Sequence, residues 1–260
     1  MRKYMRSLPI IFFALMLIAS CAFSQQASEK AKQIMERTLQ KYSALFKEDG
    51  KGIKSMASRL SIKGGGQMKM GSSGSMPLDI DMAIDIYAAQ PQRLRFDISG
   101  NLGNAQLIVI GNKPILTATM ILPITKQFTT LSLSGKLTEP MLTDNREAVW
   151  KGTILTYIGM ENLKEGKAHK INLRSTKPSD KSSVTVYVLD KKWDPIRFDI
   201  NDPKSGNYTI EVEKLELNVS IPGEKFEPDI KGYTRISTQQ LGTVIMMQIM
   251  AATMQGGQVR

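Results

Sequence analysis

Leu78-Asp79-Ile80-Asp81-Met82-Ala83-Ile84-Asp85-Ile86-Tyr87 alternates apolar and mostly acidic residues without a slip. Successive side chains of a strand point to opposite faces, so this stretch predicts a strand with one apolar and one wet side. Gln90-Pro91 ends the pattern. Leu94, Phe96 and Ile98 then alternate with Arg93, Arg95 and Asp97. An acidic face on one strand and a basic face on the next would pair well across an antiparallel sheet.

The same period continues downstream. A turn at 100–104 leads to a short apolar strand at 106–110 and a second turn, Gly111-Asn112-Lys113-Pro114. Residues 115–122 and 127–133 read as the next pair, split at Pro123. Period two is lost over 137–155, where Asp144 and Glu147 have the spacing of a helix start. Strands resume at His169-Ile171-Leu173, Val184-Val186-Val188, Ile196-Phe198-Ile200 and Tyr208-Ile210-Val212. Parity then slips to Leu215, Leu217, Val219 and Ile221, as a β-bulge near Glu213 would cause.

Upstream, residues 53–63 make a fair strand, and the Gly/Ser/Met-rich run 63–77 reads as a long mobile hairpin loop. Before it, Ser28 is placed to cap an amphipathic helix reaching about Phe46, with Ile34, Met35, Thr38, Leu39 and Tyr42 at helical spacing. At the other end, Thr238 is placed to cap a helix from about Gln239 to Met254. That helix is apolar nearly all round, yet short and mixed for a membrane span. It suits a core-docking terminal helix, or a Met-rich plug for a lipid cavity, since methionine adapts to varied apolar surfaces.

The first 24 residues have the layout of a secretory signal: Arg2, Lys3 and Arg6, an uncharged mainly apolar run over 8–19, then small residues. Two cleavage readings compete. Ala22-Phe23-Ser24 is a small-x-small site that would release a chain starting at Gln25. Ile18-Ala19-Ser20-Cys21 resembles a lipobox, in which Cys21 is acylated and becomes the first residue. The 260 residues carry a formal charge of +11. Removing the three positive residues of the signal leaves +8 on a chain long enough for one β-rich domain. Such a chain is drawn to anionic lipid headgroups, or carries a solvated basic surface. Its basic residues are dispersed and no aromatic-interleaved patch occurs, which argues against nucleic acid.

Cys21 is the only cysteine and His169 the only histidine. Past the signal there is no disulfide, thiol nucleophile or cysteine metal ligand, and multi-histidine sites are excluded. Asp79, Asp81 and Asp85 share one strand face, and alternating outward aspartates are better read as a solvated face than as a metal site. His169 shares parity with Ile171 and Leu173, which suits a satisfied strand histidine better than a base. Gly64-Gly65-Gly66 lacks the Gly-Lys-Ser/Thr of a phosphate loop. No catalytic residue, metal or cofactor is expected.

The order helix, antiparallel strands, irregular helical insert, more strands resembles the LolA/LolB-like carriers of lipoproteins. Five motifs over residues 27–236 carry the resemblance. They are Lys41-Tyr42 at the end of the opening helix; Gln90-Pro91-Gln92-Arg93-Leu94-Arg95-Phe96; Leu107 to Lys113 with Lys126-Gln127-Phe128 after it; Val186-Tyr187-Val188-Leu189-Asp190 through Pro195-Ile196-Arg197; and Phe226-Glu227-Pro228. The resemblance implies a mainly β fold: a strongly curved, incomplete antiparallel β-barrel closed by helices, with a cavity for acyl chains. Those carriers place a lid-pinning arginine where this chain has Gln90, and Asp-Gly where it has Gly111-Asn112.

The expected organisation is therefore a signal peptide at 1–24, a carrier domain at 25–236, and an apolar helix and tail at 237–260. The expected activity is non-enzymatic: binding the acyl chains of lipoproteins, or related lipids, in the periplasm of a Gram-negative bacterium for transfer to the outer membrane. The resemblance implies an inner-membrane donor and an outer-membrane acceptor as partners. Candidates for the cavity wall are Leu78, Ile80, Met82, Ile84, Leu94, Phe96, Ile98, Ile196, Phe198 and Ile200. The alternatives are that this face packs wholly on the helices, or that the protein is an outer-membrane lipoprotein, anchored through Cys21, acting as acceptor or in envelope structure.

Overall fold

A computed structural model describes residues 28–43, 52–69, 74–112, 115–134 and 152–256. The expected signal at 1–24, Cys21 and the expected helix start at Asp144 and Glu147 lie outside these residues. Among the described residues the fold is mainly β with two longer helices, α1 (Glu29–Ser43) and α2 (Thr238–Gly256). The strands are β1 (Ser55–Lys69), β2 (Ser75–Ala89), β3 (Arg93–Gly100), β4 (Ala105–Asn112), β5 (Ile115–Leu122) and β6 (Gln127–Ser134). They continue with β7 (Thr153–Leu163), β8 (Gly166–Ser175), β9 (Ser183–Leu189), β10 (Pro195–Asp202), β11 (Gly206–Leu217) and β12 (Thr234–Arg235). Among the described residues they pair in the order β12-β6-β5-β4-β3-β2-β1-β11-β10-β9-β8-β7. Among the described residues β12 and β7 stand at the two ends of this order. β2 to β6 pair antiparallel, and β12 joins β6 in parallel.

The chain forms two units. The first holds residues 1–43, 64–77 and 139–212. In it α1 lays Ala31, Ile34 and Met35 on Leu155, Ile171, Val186 and Val188, with Phe198 and Trp193 packed alongside. The apolar positions sit three and four apart, so one stripe of the helix is dry, while Lys30, Gln33 and Arg37 stay exposed. Ser28 caps α1 as expected: its Oγ accepts the N–H of Ala31 at 3.2 Å and of Tyr157 at 3.1 Å.

Two expectations are corrected in this unit. β7 falls partly in the stretch read as aperiodic and partly in one given no strand. A bulge between Tyr157 and Gly159 interrupts its alternation and leaves Ile158 exposed. The presumed loop after Lys63 is strand as far as Lys69. A Cβ on Gly64 would run into the Asn207 carbonyl oxygen, and one on Gly66 into that of Ser205. The glycines therefore serve a close backbone approach, which a composition-based reading takes for looseness.

The second unit holds residues 44–63, 78–138 and 213–260. β2 keeps its alternation: Ile80, Met82, Ile84, Ile86 and Ala88 are buried, while Asp79 and Asp81 are exposed. The reverse face is only partly wet, because Ile108 and Ile121 lie there and are buried. A 3-10 turn, Gly223–Phe226, packs on β3 and β4 and buries Phe226. The expected acidic-to-basic strand pairing does not occur, since the register sets Asp85 opposite Asp97. The charges find partners elsewhere: Arg59 reaches Asp85 at 3.2 Å and Glu213 at 3.3 Å, and Arg95 reaches Asp97 at 2.7 Å. On β11 the buried phase of Tyr208 and Ile210 shifts at Glu213 and Lys214, both exposed, as the parity slip required.

Replacing Gly66 with Ala should lower stability by about 1–3 kcal/mol or more through overpacking against the Ser205 backbone. Gly223→Ala, with open space around it, should change little. Urea unfolding of the two variants measures the difference.

Candidate functional site

The wall candidates fall into the two units. In the second, cross-strand partners line up as Ile84–Ile98, Ile86–Phe96 and Ala88–Leu94. Beyond them the same face continues through Phe96–Leu107 and Leu94–Val109 to Leu107–Met120 and Val109–Ala118. Ile80, Met82, Ile84 and Phe96 are buried, while Leu78, Leu94 and Ile98 are half-buried. No charged residue occupies this face from Leu78 on β2 to Leu122 on β5. Leu107, Val109, Leu116 and Ala118 extend it and were not foreseen. Residues 107–110 are apolar at every position, so alternation there could not tell one face from the other.

In the first unit, Phe198 stands opposite Val186, and Ile200 opposite Val184. Phe198 packs under α1 with the helix-covered cluster. Ile196 does not join them. A register shift between Pro195 and Arg197 turns it to the other side, where it packs with Ala168, Tyr187 and Leu189. A bulge changes which face a residue takes, and sequence parity could not show it.

The Lys41-Tyr42 pair holds the end of α1 to the turn after β9. Lys41 Nζ and Tyr42 Oη both donate to Asp194 Oδ1 at 2.5 Å, and Lys41 also donates to the Lys192 carbonyl at 2.9 Å. Burial pushes the Tyr42 phenol well above its ordinary range, and the hydrogen bond to Asp194 and that carboxylate's charge push the same way. Gln90 makes a different tie. Its backbone N–H donates to the Lys54 carbonyl at 2.9 Å and its Nε2 to the Ile53 carbonyl at 3.2 Å. It fixes the chain entering β1.

His169 is buried and fully engaged. Its Nδ1 is hydrogen-bonded to Tyr157 Oη at 3.3 Å, and its Nε2 faces Asp190 Oδ1 at 3.2 Å. Its ring stacks on Trp193 at 6.0 Å between centroids. Arg37 of α1 covers that indole at 4.8 Å. Both imidazole nitrogens are occupied, as in a satisfied strand histidine. Among the described residues no three His, Cys, Asp or Glu side chains come together to hold a metal.

No protein-family model matches the chain. No curated protein matches it in sequence. Several solved structures are distantly similar. An uncharacterized conserved protein of Thermus thermophilus is 15% identical over 80% of this chain and 98% of its own, with a TM-score of 0.49. Lipoprotein LppX of Mycobacterium tuberculosis is 14% identical over 75% and 99%, with a TM-score of 0.36. A Vibrio parahaemolyticus domain described as an outer membrane lipoprotein-sorting protein is 10% identical over 76% and 97%, with a TM-score of 0.31. At such distances the functional reading rests on this chain's own residues.

Tyr42→Phe should cost about 1 kcal/mol at neutral pH by removing one hydrogen bond. A raised folded pKa stabilises the fold below the unfolded value and loses that contribution as pH rises past it. Above about pH 10 unfolded Tyr42 ionises while folded Tyr42 stays neutral. The gap between parent and Tyr42→Phe should therefore narrow above that pH in urea titrations.

Proposed function

We infer that this protein is a non-catalytic carrier of acyl chains, those of lipoproteins or of related lipids, working in the bacterial envelope. The carrying observation is the uncharged face that runs in register across β2, β3, β4 and β5 of the second unit. A surface of this width must be kept from water by protein or by ligand. An acyl chain laid along it gains about 0.8 kcal/mol per CH₂. Capture therefore requires no bond chemistry, and the engaged state of His169 supports that.

The signal-like first 24 residues support export to the periplasm, and the sequence resemblance supports an inner-membrane donor and an outer-membrane acceptor as partners. Leu78, Ile80, Met82, Ile84, Leu94, Phe96 and Ile98 are the proposed wall in the second unit. Phe198 and Ile200 form a separate apolar face in the first. The helices are proposed to cover these faces when no cargo is bound. The second reading, an anchored lipoprotein, rests on the lipobox-like Ile18-Ala19-Ser20-Cys21.

Protein purified gently from the envelope should show an acyl-bearing excess in native mass spectrometry that disappears on denaturation. Leu94→Glu and Ile98→Glu, at half-buried wall positions, should reduce uptake of a fluorescent fatty acid at least tenfold with little change in melting midpoint. No bound lipid and no uptake by the parent protein would overturn the carrier reading. A denatured mass carrying acyl chains on Cys21 would favour the anchored form.

A further inference from the structure

Among the described residues the two most exposed large apolar side chains are Met247, at 63%, and Ile124, at 60%, both in the second unit. A methyl on Gly103 would stand 3.6 Å from Ile124 Cδ1 and 3.7 Å from Gln248 Oε1. The turn between β5 and β6 thus meets the middle of α2 over Gly103. α2 is 19 residues long and holds no Asp, Glu, Lys or Arg. From Thr238 to Ala251 none of its residues is buried. Its start is fixed by Ser237 and Gln240, whose side chains each accept the other's backbone N–H, one residue before the expected Thr238 cap.

Cations sit beside this apolar surface. Lys126 ends the turn that carries Ile124, and its carbonyl accepts the Thr234 N–H at 2.8 Å. Arg235 follows Thr234, and α2 begins three residues later. Lys126, Lys231 and Arg235 are all exposed, and among the described residues none of them forms an ion pair. Asp229 is the nearby acid, and its carboxylate accepts the Lys231 backbone N–H at 3.4 Å.

We propose that Ile124, Met247 and the exposed side of α2, flanked by Lys126 and Arg235, form a docking surface for a bilayer rich in anionic headgroups. The apolar side chains enter the headgroup boundary while the two cations meet lipid phosphates. An amphipathic surface helix supplies its own charged face. Here α2 is uncharged and the adjoining turn and β12 supply the cations. A second copy of the chain fits poorly, since it would set like charges together on a protein of formal charge +11. Among the described residues no helix is long and apolar enough to cross a membrane. The surface stands whether or not the wall on β2 to β5 carries lipid.

The test is flotation of the protein, as the cell processes it, with vesicles of phosphatidylglycerol and phosphatidylethanolamine, against vesicles of phosphatidylcholine. Every variant keeps the same N-terminus, so differences between them report this surface alone. The parent should float with the anionic vesicles and be released by salt. Lys126→Glu/Arg235→Glu should weaken binding about tenfold or more, and Ile124→Asp/Met247→Asp should do the same. Melting midpoint and fatty-acid uptake should be unchanged in both. Equal flotation with phosphatidylcholine, or variants that float like the parent, would overturn the proposal. So would parent self-association lost in the same variants, which would assign the face to a second copy.

Discussion

Cross-strand register along β2 is the constraint on which the second unit depends. Ile84 stands opposite Ile98, and Ile86 opposite Phe96. A one-residue slip would turn every apolar side chain of β2 to the acidic side and expose the whole face. The turn at Gln90-Pro91 sets this register, and Gln90 itself is held to the Ile53 and Lys54 carbonyls. The apolar face, the burial of Ile80 and Met82, and the exposure of Asp79 and Asp81 all follow from that alignment.

In the first unit the corresponding element is α1. Its dry stripe covers Leu155, Ile171, Val186 and Val188, and two polar ties hold its ends, Ser28 at the start and Lys41 with Tyr42 at the finish. The helix is thus docked by a broad apolar contact and oriented by a few hydrogen bonds. A satisfied histidine belongs to the same arrangement: His169 joins Tyr157 and Asp190, and stacks on the indole that Arg37 covers. Removing a partner of the buried His169 leaves an imidazole nitrogen without its hydrogen bond, which ties the network to one position of the helix.

Much of the second unit was legible because its strands alternate cleanly. The apolar faces of β2 and β3 were readable from their alternation, as was the pair β5 with β6. β7 was missed because a bulge at Gly159 breaks its period. The glycine run of β1 was read as a loop because composition cannot report that another backbone lies within contact distance. The wall was half legible: its β2 and β3 members follow from parity, but its extension over Leu107 and Val109 is hidden in a run apolar on both sides.

By itself, the sequence determined the mainly β class, most strand positions, the capped amphipathic α1, the uncharged α2 and the lack of thiol or multi-histidine chemistry after residue 24. These properties depend on local period and composition, which a chain carries before it folds. Only the tertiary structure decided that Asp85 faces Asp97, that Ile196 leaves the face of Phe198, that Phe226 covers the reverse side of β3 and β4, and that Lys41 and Tyr42 converge on Asp194. Each of these depends on register, on a bulge or on a contact between residues far apart in the chain. Such features are chosen by the free energy of packing the whole, and no local pattern records them.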